Sequence, residues 1–273
     1  MLGAHHYWIV IRGSGDVGSA AAHRLFLAGY AVILHDISQP TTSRRGMAFT
    51  DAIFDGQAVL EGVTAMRVDE VAVLATVIAE HKALPITVTN FPELLSAVRP
   101  DILIDARMRK RMVPEVQRGL APLTIGLGPN FIAGVTTDLA VETSWGDALG
   151  AIVARGPTRP LAGEPRPIGG YGRDRFVYAP VAGIFRTAHH IGDSVVAEAV
   201  VATIGAVALH APLDGVLRGL TRGGVPVQEG AKVIEVDPRG PMAVVRGIGE
   251  RPRRIADGVL HAVQAWVDVR ELQ

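Results

Sequence analysis

Three glycines at a fixed spacing offer the first chemistry. Gly13-Ser14-Gly15-Asp16-Val17-Gly18 reads G-x-G-x-x-G, after an apolar run at 8–11 and before a helical stripe. That context suits an anion-binding turn. Gly13 permits a tight turn, Gly15 lets a pyrophosphate approach the backbone, and Gly18 lets a helix pack on its strand. The helix N-terminus then presents free N–H groups to the anion. Asp36 closes the next apolar run, where a carboxylate accepts from a ribose 2′-OH and favours NAD over NADP. Arg44 and Arg45 are placed to face a 2′-phosphate or another anion. Asp16 sets a negative charge at the turn itself. Two readings therefore stand: a site for NAD(P) or another dinucleotide, or a vestigial one.

A second constellation follows the apolar run 102–104. Asp105 and Arg107 sit where ligands bind in open α/β sheets, beyond a strand's carboxyl end, and Arg109, Lys110 and Arg111 extend the basic run. It reads as a phosphate contact or as a solvated helix start. Gly128-Pro129-Asn130 reads as a further ligand-approach loop or as ordinary turn chemistry. The pairs His5-His6 and His189-His190 have no third ligand at metal spacing, so no metal is assigned. G-x-S-x-G and H-E-x-x-H are absent. For an enzyme, the general acids or bases on offer are Asp105, Lys110 and Asp138.

The elements that hold these residues alternate. Strands are expected at 8–11, 31–34, 85–89, 102–104 and 123–125, with helices at 17–28, 71–81 and 91–98. This predicts an α/β fold, a Rossmann-like parallel sheet domain over 1–155 that binds a nucleotide. In 156–172, nine of 17 residues are Gly or Pro, so 156–175 is expected to be a linker. Beyond it lies an internal repeat at an offset of 32 residues. Ala179-Pro-Val-Ala-Gly183 returns as Ala211-Pro-Leu-Asp-Gly215, and Gly192 and Val195 return as Gly224 and Val227. The two copies are expected to interlock as a small β sandwich over 176–246. Residues 247–273 close the chain as a helical segment, with Val259, Ala262, Val263, Trp266 and Val269 on one stripe.

Composition narrows the chemistry. The chain has 273 residues and no cysteine, which excludes disulfides, thiolate metal sites and a persulfide carrier. Of 27 basic residues only Lys82, Lys110 and Lys232 are lysines. Acidic residues also number 27, so no net field draws in nucleic acid or an anionic membrane. No basic leader with a long apolar stretch is present, and a cytoplasmic location is expected.

Taken in order, these motifs resemble the YqeB family, an accessory protein of selenium-dependent molybdenum hydroxylase systems. The resemblance is carried by Arg12 to Gly18, Arg44-Arg45 with Phe49-Thr-Asp-Ala52, Asp105 to Arg111 and Ile125-Gly-Leu-Gly-Pro129. Gly169-Gly170, Ala211 to Gly215 and Val236-Asp-Pro-Arg-Gly240 complete it. It implies a maturation role beside a xanthine-dehydrogenase-like enzyme, with the glycine turn as the nucleotide site. The partners implied are a molybdenum hydroxylase subunit or a cofactor-maturation protein; homo-oligomerisation stays open. Pro129-Asn130-Phe131 and Trp145-Gly146-Asp147 depart from the family pattern, which implies a different ligand or partner enzyme. The repeat separately resembles a biotinyl/lipoyl-like barrel-sandwich. Its hairpin, within 200–210, has no lysine, so no covalent biotin or lipoate is expected and the domain is expected to dock a partner.

Overall fold

The computed structural model describes residues 7–109, 112–160 and 165–272. The chain folds as two compact units, each assembled from separated stretches. The first takes residues 1–38, 48–162 and 248–273; the second takes 39–47 and 163–247.

In the first unit the elements run β1 (Trp8–Arg12), α1 (Asp16–Leu27), β2 (Ala31–His35), α2 (Ala52–Asp55), β3 (Gln57–Leu60), β4 (Val63–Arg67), α3 (Val71–Glu80), β5 (Leu84–Thr87), α4 (Phe91–Val98) and β6 (Ile102–Asp105). They continue as β7 (Leu123–Leu127), β8 (Ile132–Ala133), β9 (Leu139–Val141), β10 (Ile152–Val153) and β11 (Gly156–Pro157), and close with α5 (Glu250–Glu271). Nine strands form one sheet in the order β10-β9-β7-β6-β1-β2-β5-β4-β3. Its middle is parallel, while β3 and β10 run antiparallel at the two edges. The central strands Ile9–Ile11 and Val32–Leu34 are almost wholly buried, the near-continuous apolar pattern of a sheet covered on both faces. One covering is α1 with α5: Leu25, Ile255, Val259 and Val263 share a core with Ile11 and Ile104.

The second unit holds β12 (Phe176–Tyr178), β13 (Gly183–Arg186), β14 (Ser194–Val195), β15 (Val200–Ile204), β16 (Val207–His210), β17 (Gly215–Leu220), β18 (Pro226–Val227) and β19 (Lys232–Asp237). They make two four-stranded sheets, β12-β19-β17-β14 and β16-β15-β13-β18. Phe185, Ile204, Leu217, Val227 and Ile234 form their shared core.

The expected fold class is corrected by this architecture. In place of a Rossmann-like parallel sheet over 1–155, the sheet is mixed and enlarged at both edges. The β3–β4 hairpin was not foreseen. It turns on Glu61 and Gly62, both at positive φ (43° and 83°), the geometry of a two-residue hairpin loop. In place of a biotinyl/lipoyl-like barrel-sandwich closed by the repeat alone, the second unit is two separate sheets and includes 39–47. Residues 45–47 form a 3-10 turn there, and the Leu220 N–H donates to the Ser43 carbonyl (2.7 Å). The C-terminal helix packs on α1 as part of the first unit, not as an appendage after the second. β11, inside the expected linker, pairs with β8, and Thr158 is buried beside it.

Candidate functional site at the carboxyl edge of the sheet

The strand order reverses at β1. The chain leaves β1 through α1 to β2 on one side and later enters β6 on the other. A crevice outside the carboxyl ends of strands at such a switch point is where open α/β sheets bind ligands. Register places Arg12 opposite His35 on one flank and opposite Asp105 on the other, with Thr87 next along.

The glycine turn occupies this edge. Gly13 has φ 104°, and a Cβ on it would lie 2.9 Å from the backbone of Ala106 and Arg107. A Cβ on Gly18 would overlap the Gly13 carbonyl oxygen. Gly15 is the N-cap of α1, with extended backbone (φ −65°, ψ −179°) and no side-chain cap. Ser14 is wholly buried. Its N–H and Oγ–H both donate to Asp36 Oδ2 (2.6 and 2.7 Å), and its carbonyl accepts from Thr50 Oγ1 (2.6 Å) and Ser19 Oγ (2.8 Å). Asp36 Oδ1 accepts from the Ile37 N–H (2.8 Å). Asp36 therefore fastens the turn. Asp16 Oδ1 accepts from the Val17 N–H (3.0 Å) in the first turn of α1.

Beside the turn lies an arginine–carboxylate network. Asp105 is buried. It accepts from the Arg107 N–H (3.1 Å), from Arg107 Nε (3.0 Å) and Nη2 (2.6 Å), and from Gln117 Nε2. Burial pushes its carboxyl upward, but the Arg107 bonds outweigh that and hold it below its ordinary value. Glu115 is half exposed and bridges Arg12 (3.2 Å), Arg107 and Arg109. Partial burial raises it, and the Arg107 and Arg109 bonds more than offset this, taking it down to about 2. Arg12 lies over the Phe91 ring, 3.6 Å from its centroid, and its Nε is buried without a partner. Burial, then the charge of Arg107, lowers the Arg12 pKa. His35, its ring tilted at 47° to Phe91 with centroids 5.3 Å apart, donates from Nε2 to the Thr89 carbonyl (2.9 Å), and burial lowers its pKa.

Gly13, Ser14, Gly15, Asp16, Val17, Gly18, Asp36, Asp105 and Arg107 are thus brought to one edge. Arg44 and Arg45, expected to face a 2′-phosphate, have other partners. They belong to the second unit, where Arg44 Nε and Nη2 donate to Glu235 (2.8 and 3.0 Å) and Arg45 Nε donates to the Leu220 carbonyl (2.9 Å). Lys110, Arg111, His5 and His6 lie outside the described residues. Sequence reasoning missed Arg12, Phe91, Glu115 and Gln117 as site residues. Arg12 was findable as the last residue of the strand before the turn. Glu115 and Gln117 lie in an irregular segment with no periodicity to read. Among the described residues, no group of three His, Asp or Glu side chains could hold a metal ion. Among them, too, no helix is long and apolar enough to cross a membrane.

No family model matches the chain. It is 37% identical over 258 residues to the "Uncharacterized protein YqeB" of Escherichia coli (strain K12), a match spanning 94% of this chain and supporting a YqeB-like family. The chain spans about half the length of that curated relative (47%). Among solved structures it is similar to an aspartoacylase family protein from Mesorhizobium loti, with TM-score 0.26, 10% identity and 84% of each chain covered. It is also similar to a succinylglutamate desuccinylase/aspartoacylase family protein from Shewanella amazonensis, with TM-score 0.26, 15% identity, and 85% and 91% covered.

Proposed function

We propose that the chain is a ligand-binding accessory protein that holds a nucleotide-type anion at the carboxyl edge of β1 and β6. The observation that carries this is the arginine group at the switch point. Arg12, Arg107 and Arg109 converge on a single half-exposed carboxylate, Glu115. A ligand phosphate that displaces Glu115 meets three guanidiniums in its place, with the N-terminus of α1 alongside. The wider role, maturation of a xanthine-dehydrogenase-like molybdenum hydroxylase, rests on the YqeB resemblance. In this reading the second unit meets the partner enzyme.

The alternative, an NAD(P)-dependent oxidoreductase, has weaker support. The Asp36 carboxylate that would meet a ribose already accepts from Ser14 and Ile37. Titration calorimetry of the full chain with ADP, NAD and NADP tests the reading. Binding should weaken about tenfold or more in Arg107→Gln, the loss expected for one charged hydrogen bond. Absence of heat with all three at millimolar concentration would sink it. Capture of the chain's partners from its native host tests the wider role, which requires a molybdenum hydroxylase component among them.

A further inference from the structure

The second unit carries a cationic group that the site above does not use. β19 places Glu235 and Asp237 two residues apart on one side of the strand, both fully buried. Glu235 accepts from Arg44 (2.8 and 3.0 Å), Arg175 and Lys232 (3.2 Å). Asp237 is taken bidentately by Arg239 (2.9 and 2.7 Å). A fifth cation, Arg218, stands between them. The β17–β19 register shifts between Leu217 and Gly219, so Arg218 is the extra residue of a bulge, a device that re-aims a side chain.

Arg218 arrives after both carboxylates are engaged. Its Nε lies 3.8 Å from Glu235 and its Nη1 3.7 Å from Asp237, beyond hydrogen-bond reach. It makes no hydrogen bond to any described residue, and its Nε is buried without a partner. The side chain is only 12% exposed. Burial and the charges of Arg44 and Arg175 work against its protonation. A buried guanidinium with no acceptor is costly, and native structures rarely leave one so. Five cations sharing two carboxylates also leave room for further negative charge. A planar guanidinium fork matches a phosphate oxygen pair, and a tetrahedral dianion supplies more charge than a carboxylate.

We infer that the second unit binds a phosphate group on Arg218, either inorganic phosphate or the phosphoryl end of a small ester. The small open fraction of the side chain is its route of approach. It shares no residue with the site proposed at the β1–β6 edge and does not depend on it.

Titration of the full chain with inorganic phosphate and with glycerol phosphate tests this, with acetate as the carboxylate control. Phosphate is expected to bind more tightly than acetate, with an affinity about tenfold lower or worse in Arg218→Gln. The same titrations are run in an Arg107→Gln background, which removes the edge site's share, so that the phosphate binding that remains reports on Arg218. Tighter binding of glycerol phosphate than of phosphate assigns the ester as the occupant; the reverse assigns the free ion. Thermal unfolding of Arg218→Gln without ligand controls for folding, and a midpoint at or above the wild type is expected. The inference is overturned if phosphate does not bind at about 10 mM. In the Arg107→Gln background, equal binding with and without Arg218→Gln, or of acetate and phosphate, would overturn it as well.

Discussion

At the scale of single residues, the glycine turn is held by contacts that leave little tolerance. A methyl group on Gly18 would overlap the Gly13 carbonyl, so Gly18→Ala must move α1 away from β1. Overpacking of this kind costs about 3 kcal/mol, and urea unfolding of Gly18→Ala should show it. Asp36→Ala removes the acceptor of the buried Ser14 N–H and Oγ–H. Leaving these donors unsatisfied should cost about 2–3 kcal/mol in the same assay. Glu115 gives a pH signature. Its folded pKa lies near 2, below the ordinary 4.5, so its bridge stabilises the fold fully above pH 4.5. That contribution is lost as pH falls from 4.5 through 2. A carboxyl titration by NMR should place the Glu115 midpoint near 2 in the wild type and nearer the ordinary value in Arg107→Gln. The turn was legible because glycine spacing encodes backbone geometry. The partner of Asp36 was not, because a carboxylate at a strand end serves a ribose or a buried serine with equal chemical fitness. Glu115 was hidden for another reason: besides Arg107 and Arg109 it bridges to Arg12, 103 residues away in sequence, and no local pattern encodes that.

At the scale of elements, the strands with continuous apolar runs were readable, since burial on both faces demands them. The edges were not. β10 has two residues, and β3 alternates exposed Gln57 and Val59 with half-buried Ala58 and buried Leu60. The closing helix was legible over its apolar stripe from Val259, but it starts earlier, at Glu250. Pro252 conceals the start, although a proline in a first helical turn removes no internal hydrogen bond. How α5 docks depends on glycine again. A Cβ on Gly258 would overlap the Gly150 carbonyl, so helix and turn touch backbone to backbone. Ile255 one turn earlier is wholly buried against the α1 side of the core. Ile255→Ala should therefore destabilise the first unit by about 2–5 kcal/mol. Gly258→Ala should displace α5, which hydrogen exchange would report as faster exchange across Glu250–Glu271 than in the wild type.

At the scale of the whole molecule, neither unit is one stretch of chain. The repeat in 179–227 made the second unit look self-contained, because repeats advertise what pairs within them. It did not advertise residues 39–47, which lie far away in sequence and carry Arg44 to Glu235. That contribution has a testable weight. Glu235 is fully buried, and Lys232, Arg44 and Arg175 hold its carboxyl well below the ordinary range against its burial. A fragment of residues 163–247 keeps Lys232 and Arg175 but loses Arg44 and the Ser43 carbonyl that accepts from Leu220. Removing one partner of a buried ion pair costs about 3–5 kcal/mol, less where other cations remain. Arg44→Gln in the full chain isolates the charge from the lost backbone pairing, and should cost about 1.5–3 kcal/mol in urea unfolding. The fragment should then lose more than that variant, with a lower unfolding midpoint by circular dichroism. Adding Glu235→Gln to the fragment should recover part of the difference, since the buried carboxylate no longer needs its missing cation. If the fragment alone matched the stability of the full chain's second unit, residues 39–47 would be a passenger and the second unit would end where its repeat does.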